Sequence, residues 1–191
     1  MSEEPAAYPV LAARDRLLKA ADELFYEEGL NTVGIDRIIE RAGVAKASLY
    51  NTFGSKDALV RAYLTARHEA RRARILKRIA NHQSARRQIL AIFDEMHDRA
   101  LEPGFKGCAF VRASAENRAG SCVKTVCDES RAWLLDLLRS LAASSGARDP
   151  EVLARQLVLL YDGAAVASQL DGDAAAATLA REVAAAASPS S

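Results

Sequence analysis

The stretch GVAKASLYNTFGSK, residues 43–56, limits the fold more than any other part of this sequence. Gly43 and Gly54 stand where a helix can stop through left-handed backbone, so only a short helix fits between them. Within it Leu49 and Phe53 lie four residues apart on one face, while Ala45, Ala47 and Ser48 leave another side nearly free of bulk. Before Gly43, the residues Ile35, Ile38, Ile39 and Ala42 make one apolar stripe on a helix of about two turns. Further upstream, Leu17, Ala21, Leu24 and Phe25 recur at helical spacing opposite Asp15, Asp22, Glu23 and Glu27, and Gly29 supplies the stop. This predicts a first helix over residues 11–28, with Leu49 and Phe53 packed on Leu24, Phe25 and Ile38. Two short helices joined by a tight glycine turn, braced by a longer one before them, constitute a helix-turn-helix.

In such a unit the second short helix enters the DNA major groove, and bulky groups near its start would hold the backbone away from the base edges. Ala45, Ala47 and Ser48 give that clearance. Lys46 offers a donor to guanine O6 and N7, Ser48 a hydroxyl for base or phosphate, Ala47 a methyl suited to thymine, and Asn51 an amide able to read adenine. Tyr50, Thr52 and Lys56 fall at the groove wall and are expected on phosphates. Taken singly, each of these polar residues also fits a merely solvated helix face; their arrangement is what points to DNA.

Charge follows the same division. Residues 41–78 hold ten Lys or Arg against two acidic residues, net +8, whereas residues 81–191 hold twelve against fourteen, net −2. A basic N-terminal third joined to a mildly acidic remainder suggests two tasks in one chain.

These residues resemble the tetracycline-repressor-like (TetR) family of bacterial transcriptional regulators. The resemblance lies in EEGLNTVGIDRIIERAGVAKASLYNTFGSKDALV, residues 27–60, through Gly29, Ile38, Ala42-Gly43-Val44, Leu49-Tyr50, Phe53 and Ser55-Lys56. It implies a DNA-binding domain over residues 11–71 and an effector-binding and dimerisation domain over residues 72–191. It also implies a homodimer that binds a near-palindromic double-stranded operator and lets go when a small molecule enters the C-terminal domain. By the same resemblance the DNA contacts are Gly34, Lys46, Ala47, Ser48, Tyr50, Asn51, Thr52 and Lys56. Two positions depart from the usual pattern: Gly34 replaces the Ser or Thr common at the start of the second helix, leaving only backbone N–H groups there, and Thr52 stands where many members have His.

The remaining two-thirds also reads as helix, for an all-α chain of about nine helices. After a long helix from Lys56 to about residue 80, apolar spacing predicts helices over residues 84–101, 121–144, 150–170 and 174–187, with an irregular or partly helical link over 104–121. Asp149 followed by Pro150 is a strong helix-start signature. Effector-lining candidates are Phe93, Met96, His97, Phe105, Phe110, Trp133, Leu137 and Tyr161, since ligand cavities are mostly apolar with a few polar anchors. The small residues Ala164, Ala165 and Ser168, with Leu157 and Leu160, have two readings: the last two helices form the dimer interface, as in the family, or this face packs within the chain.

Other functions find little support. No Gly-x-Ser-x-Gly elbow, His-Glu-x-x-His pair or phosphate loop occurs, so no enzyme activity and no cofactor are expected. The spacing of Cys108, Cys122 and Cys127 matches no familiar zinc site, so no metal is expected; an alternative use of these thiols is redox sensing. A helical interaction module that never touches DNA is a further alternative, but it leaves the +8 stretch unexplained. The N-terminal MSEEPAAYPV has no apolar core of a signal peptide and no apolar run reaches membrane-spanning length, so a cytoplasmic protein without membrane contact is expected.

Overall fold

A computed structural model of the chain describes residues 12–116 and 122–189, the side chain of Cys122 excepted. The N-terminal acidic stretch, the expected helix start at residue 11 and residues 117–121 of the expected link lie outside the described residues. Among those described, the secondary structure is nine α-helices: α1 Ala13–Glu28, α2 Ile35–Ala42, α3 Lys46–Phe53, α4 Lys56–Ile79, α5 Ala85–Leu101, α6 Ala109–Glu116, α7 Cys122–Ser144, α8 Pro150–Asp171 and α9 Ala175–Ala187. The link between α5 and α7 is thus partly helical, through α6. No helix among the described residues is long and apolar enough to cross a membrane.

The chain divides into two compact units between Tyr63 and Leu64, inside α4. The physical reason is where α4 spends its side chains. Leu59, Val60 and Tyr63 are buried in the first unit, Tyr63 with its ring 5.5 Å from that of Phe25, whereas His68 and Arg71 bond to Ser130 of α7 in the second.

In the first unit, Leu17, Ala21, Phe25, Ile38 and Leu49 are almost fully buried, so α1, α2 and α3 share one core. Polar clamps then fix α2 against α1. Arg41 donates from Nε and Nη2 to Glu23 at 2.9 and 2.7 Å, and Arg37 grips both carboxylate oxygens of Glu28. Gly43 ends α2 in left-handed backbone (φ 61°, ψ 43°), with its N–H and that of Val44 closing onto the carbonyls of Glu40 and Ile39. Arg16 of α1 donates to the Gly43 carbonyl at 3.2 Å, so the turn itself is tied to the longer helix.

The second unit is a helical bundle whose core joins α5, α7, α8 and α9 to the last turns of α4 through Ile75 and Ile79. Helix starts follow the sequence signals: Ser84 accepts from Arg87 N, and Asp149 Oδ1 accepts from Val152 N at 3.0 Å with Pro150 in the first turn. The segment before α6 is held down at Gly107, which is buried at φ 77°; a Cβ there would come within 2.0 Å of Gln169 Oε1. Gly107 is therefore favoured by its left-handed backbone, and a larger residue would also have to displace the Gln169 side chain.

The residues expected at a dimer interface are largely used inside the protomer. Leu157, Ala164, Ala165 and Ser168 are at most 3 % exposed within the protomer, and Leu160 is half-buried against the same core, because α8 turns that face onto its own bundle. The apolar side chains that α8 leaves exposed are Val152, Leu159, Val166 and Leu170, while α9 exposes Leu179 and Val183.

Candidate nucleic-acid interface

Helix α3 buries Leu49 completely and leaves Lys46, Ala47, Tyr50, Asn51 and Thr52 exposed, with Ser48 half-buried at the edge. One apolar anchor thus orients the whole helix, and the face turned outward carries small or flexible polar groups. No side chain caps its start, since the residue at the cap position is Ala45; the first N–H groups of α3 have no side-chain acceptor there. Gly34 plays the same bare part for α2, in extended backbone with no side-chain bond and open space where a Cβ would go. Two helix starts therefore combine unmasked N–H donors with positive dipole ends, a combination suited to phosphate oxygens.

The side chains assigned to DNA are not equally available. Lys46 Nζ sits 2.9 Å from Asp36 Oδ1, and that hydrogen bond and charge raise its already high pKa, so it is fully cationic. Asp36 lies in the first turn of α2, so this pair spans the two short helices, and the ammonium has to leave it to reach a base. Thr52 donates its hydroxyl to the Ser48 carbonyl at 2.6 Å, the back-bond typical of a threonine inside a helix. Lys56 is turned inward: its Nζ donates to the Leu30 carbonyl at 2.7 Å and lies 5.9 Å from the Phe25 ring centre. Its ammonium links α4 to the loop after α1 and would have to leave that bond to reach a phosphate. Ser55 caps α4 as its position suggests, accepting from Ala58 N at 3.1 Å.

Three arginines of the basic stretch make ion pairs within the second unit. Arg74 pairs at 2.7 Å with Glu95, itself only 7 % exposed; Arg78 pairs with Asp98 at 3.0 Å; Arg72 reaches Glu69. Counting charges along the sequence could not separate these from cations that face solvent.

Arg71 is the functional candidate that sequence reasoning missed. Its Nη2 donates to both the carbonyl and the hydroxyl of Ser130, at 2.7 and 2.8 Å, and its guanidinium lies 5.0 Å from the Phe110 ring centre and 5.9 Å from that of Trp133. His68 Nδ1 meets the same Ser130 hydroxyl at 3.0 Å, and its ring packs edgewise on Trp133 and Phe110. Burial, followed by the charge of Arg71, pushes the His68 pKa below its usual value, favouring the neutral ring that can accept from the serine O–H. Nothing in the sequence distinguishes Arg71 from its neighbours; only the approach of α6 and α7 does.

Beside this group is a cavity of about 260 Å³, bordered by Arg71, Phe110, Ser130, Leu134 and Val158 and by the thiols Cys108 and Cys127. Of the eight effector-lining candidates, Phe110 borders it. Phe93 and Tyr161 pack edge to face at 6.3 Å in the core, where burial also pushes the Tyr161 hydroxyl pKa up, and Met96 is buried with them. His97 instead meets Thr178 Oγ1 at 3.2 Å on the outside; Leu137 and Trp133 pack partly buried against the core, and Phe105 is half-buried. Cys127 Sγ donates to the Phe110 carbonyl at 3.6 Å, and burial pushes its thiol pKa up, away from the reactive thiolate. Among the described residues no cluster of metal-ligating side chains occurs.

Comparisons with known proteins bear on the family and the fold. The family described as bacterial regulatory proteins, tetR family, matches residues 17–63. A TetR-family transcriptional regulator from Streptomyces coelicolor superposes with a TM-score of 0.83 at 37 % identity, over 92 % of this chain and 91 % of that one. The chain therefore belongs to the TetR family of transcriptional regulators. The transcriptional repressor NemR of Escherichia coli is 29 % identical over 105 residues; the match takes in 54 % of this chain and only about half, 53 %, of NemR. The fold also matches that of the TetR-family regulator CifR, solved as a cysteine mutant with a 26-bp double-strand operator DNA, with a TM-score of 0.78 at 24 % identity over 96 % of this chain and 100 % of that one.

Proposed function

We propose that this protein represses transcription by binding, as a homodimer, a near-palindromic operator, and that a small molecule entering the second unit releases it. The observation that carries the reading is α3: a helix anchored by the fully buried Leu49 that turns a slim polar face, Lys46 to Asn51, outward. Lys46, Ala47, Ser48 and Asn51 read bases, Tyr50 contacts phosphate, and the unmasked N–H groups at Gly34 and Ala45 take further phosphates. One such helix covers few base pairs, so a second copy placed ~34–36 Å away on the same side of the duplex supplies the rest of the specificity.

The second copy docks on the exposed stripe Leu159, Val166 and Leu170 of α8 with Leu179 and Val183 of α9, large apolar groups that the protomer leaves in water. Effector occupancy shifts the population between dimer states that do and do not fit successive grooves. Helix α4 begins in the DNA-binding unit and ends in the other, and so provides the covalent route for that bias.

Footprinting on the DNA upstream of the protein's own gene tests the reading. A protected, twofold-symmetric site is expected, with log K falling by ~0.9 per phosphate neutralised as salt rises. Absence of any protected site, or binding without salt dependence, would favour the interaction-module alternative. The redox alternative gains nothing from Cys127, whose thiol is buried and held protonated.

A further inference from the structure

Four charged side chains border the cavity beside α7, and three of them are already matched. Arg131 pairs with Asp162, and Asp128 pairs with Lys124 outside the cavity. Arg71 has no carboxylate partner among the described residues. Its Nη2 is shared between the two oxygens of Ser130, and its Nε is buried without an acceptor. The rings of Phe110 and Trp133 stabilise its positive face but satisfy none of its N–H groups. The cavity thus pairs one unmatched guanidinium with an apolar wall of Phe110, Leu134 and Val158.

A partly desolvated guanidinium selects planar anions, because two of its N–H groups fit the two oxygens of a carboxylate. We infer that this cavity takes a small organic monocarboxylate, its carboxylate against Arg71 and its hydrocarbon part against Phe110, Leu134 and Val158. A volume of about 260 Å³ suits a single aromatic ring or a medium-length chain rather than a large polycyclic ligand. The regulatory consequence rests on the effector-regulated reading proposed above: the ligand competes with Ser130 for the Arg71 N–H groups, and so slackens the bond that ties α4 to α7.

Trp133 is the only tryptophan in the sequence and lies beside Arg71, so its fluorescence reports occupancy. Sodium benzoate and sodium octanoate are titrated into the full-length protein, with benzamide and benzylamine as the neutral and cationic counterparts of benzoate, while affinity for DNA upstream of its own gene is followed in parallel. Saturable binding of at least one acid is expected, with benzamide weaker by about tenfold or more, the equivalent of roughly 1.4 kcal/mol. Arg71→Gln should cost the acid a similar factor and leave benzamide unchanged. Val158→Phe, which keeps Arg71 but fills the apolar wall, should weaken the acid by calorimetry, so the outcome does not hang on one variant. Equal affinity for acid and amide, full affinity in Arg71→Gln, or no binding of either acid overturns the assignment. Acid binding that depends on Arg71 but leaves DNA affinity unchanged upholds the ligand class and removes the effector role. Release of DNA by benzylamine and not by the acids keeps the effector role and removes the anion.

Discussion

The outward side of α3 and the outward side of α8 are both left uncovered by their own units, yet they expose opposite chemistry. α3 presents Lys46, Ala47, Tyr50 and Asn51, groups that lose little by staying in water and gain hydrogen bonds from bases and phosphates. α8 presents Leu159 at 67 % and Leu170 at 78 % exposure, groups whose apolar area is costly to leave wet. Both faces belong to helices with a fully buried apolar anchor, Leu49 in one and Leu157 in the other, so the same amphipathic rule builds them. What differs is the partner proposed for each outer face: a hydrated polyanion for α3, a second copy of the chain for α8.

The largest effect is expected where that contrast is erased. Leu159→Glu combined with Leu170→Glu should convert the dimer to monomer in sedimentation and lower operator affinity by about 100-fold or more, since each lost leucine contact forfeits ~1.5–3 kcal/mol and one half-site remains. Retention of a dimer by this variant would move the interface away from α8. Next comes Lys46→Gln, for which a loss of roughly tenfold on the cognate site is expected, with little change on unrelated DNA. An equal loss on all sequences would show that Lys46 meets phosphate only.

Lys56→Met sharpens the comparison from the other side, because its ammonium is used inside the protomer. Thermal or urea unfolding should show a loss of about 1–2 kcal/mol from the broken bond to the Leu30 carbonyl, while the salt slope of DNA binding stays unchanged; a slope flatter by ~0.9 would show a phosphate contact instead. The smallest effect belongs to Gly34→Ser. Open space at the Cβ position and extended backbone allow the hydroxyl to cap α2, for a gain of a few tenths of a kcal/mol in stability. DNA affinity should change less than for Lys46→Gln.

The helix-turn-helix was legible in the sequence because its determinants are local. Gly43 in left-handed backbone, the Ile38 and Leu49 stripes, the Ser55 cap and the Asp149-Pro150 start all act within a few residues of themselves, and each stands where its spacing places it. The uses of charge were not legible. Arg71, Arg74 and Arg78 read as one basic run with Lys46 and Lys56, but their partners Ser130, Glu95 and Asp98 lie 20 to 59 residues away in the chain. The burial of α8 was hidden for a related reason: periodicity identifies an apolar face of the helix without saying which of its two apolar sides meets the bundle and which stays exposed.

By itself the sequence determined the helices, their ends and the slim face of α3, since short-range sterics and hydrogen bonding settle those. Tertiary packing alone decided that Lys56 bonds within the fold, that Arg71 borders a cavity without a matching carboxylate among the described residues, and that Leu159 and Leu170 rather than Ala164 and Ala165 face outward. Each of these depends on which helix lies against which, and long-range contacts of that kind leave no local mark on the residues that make them.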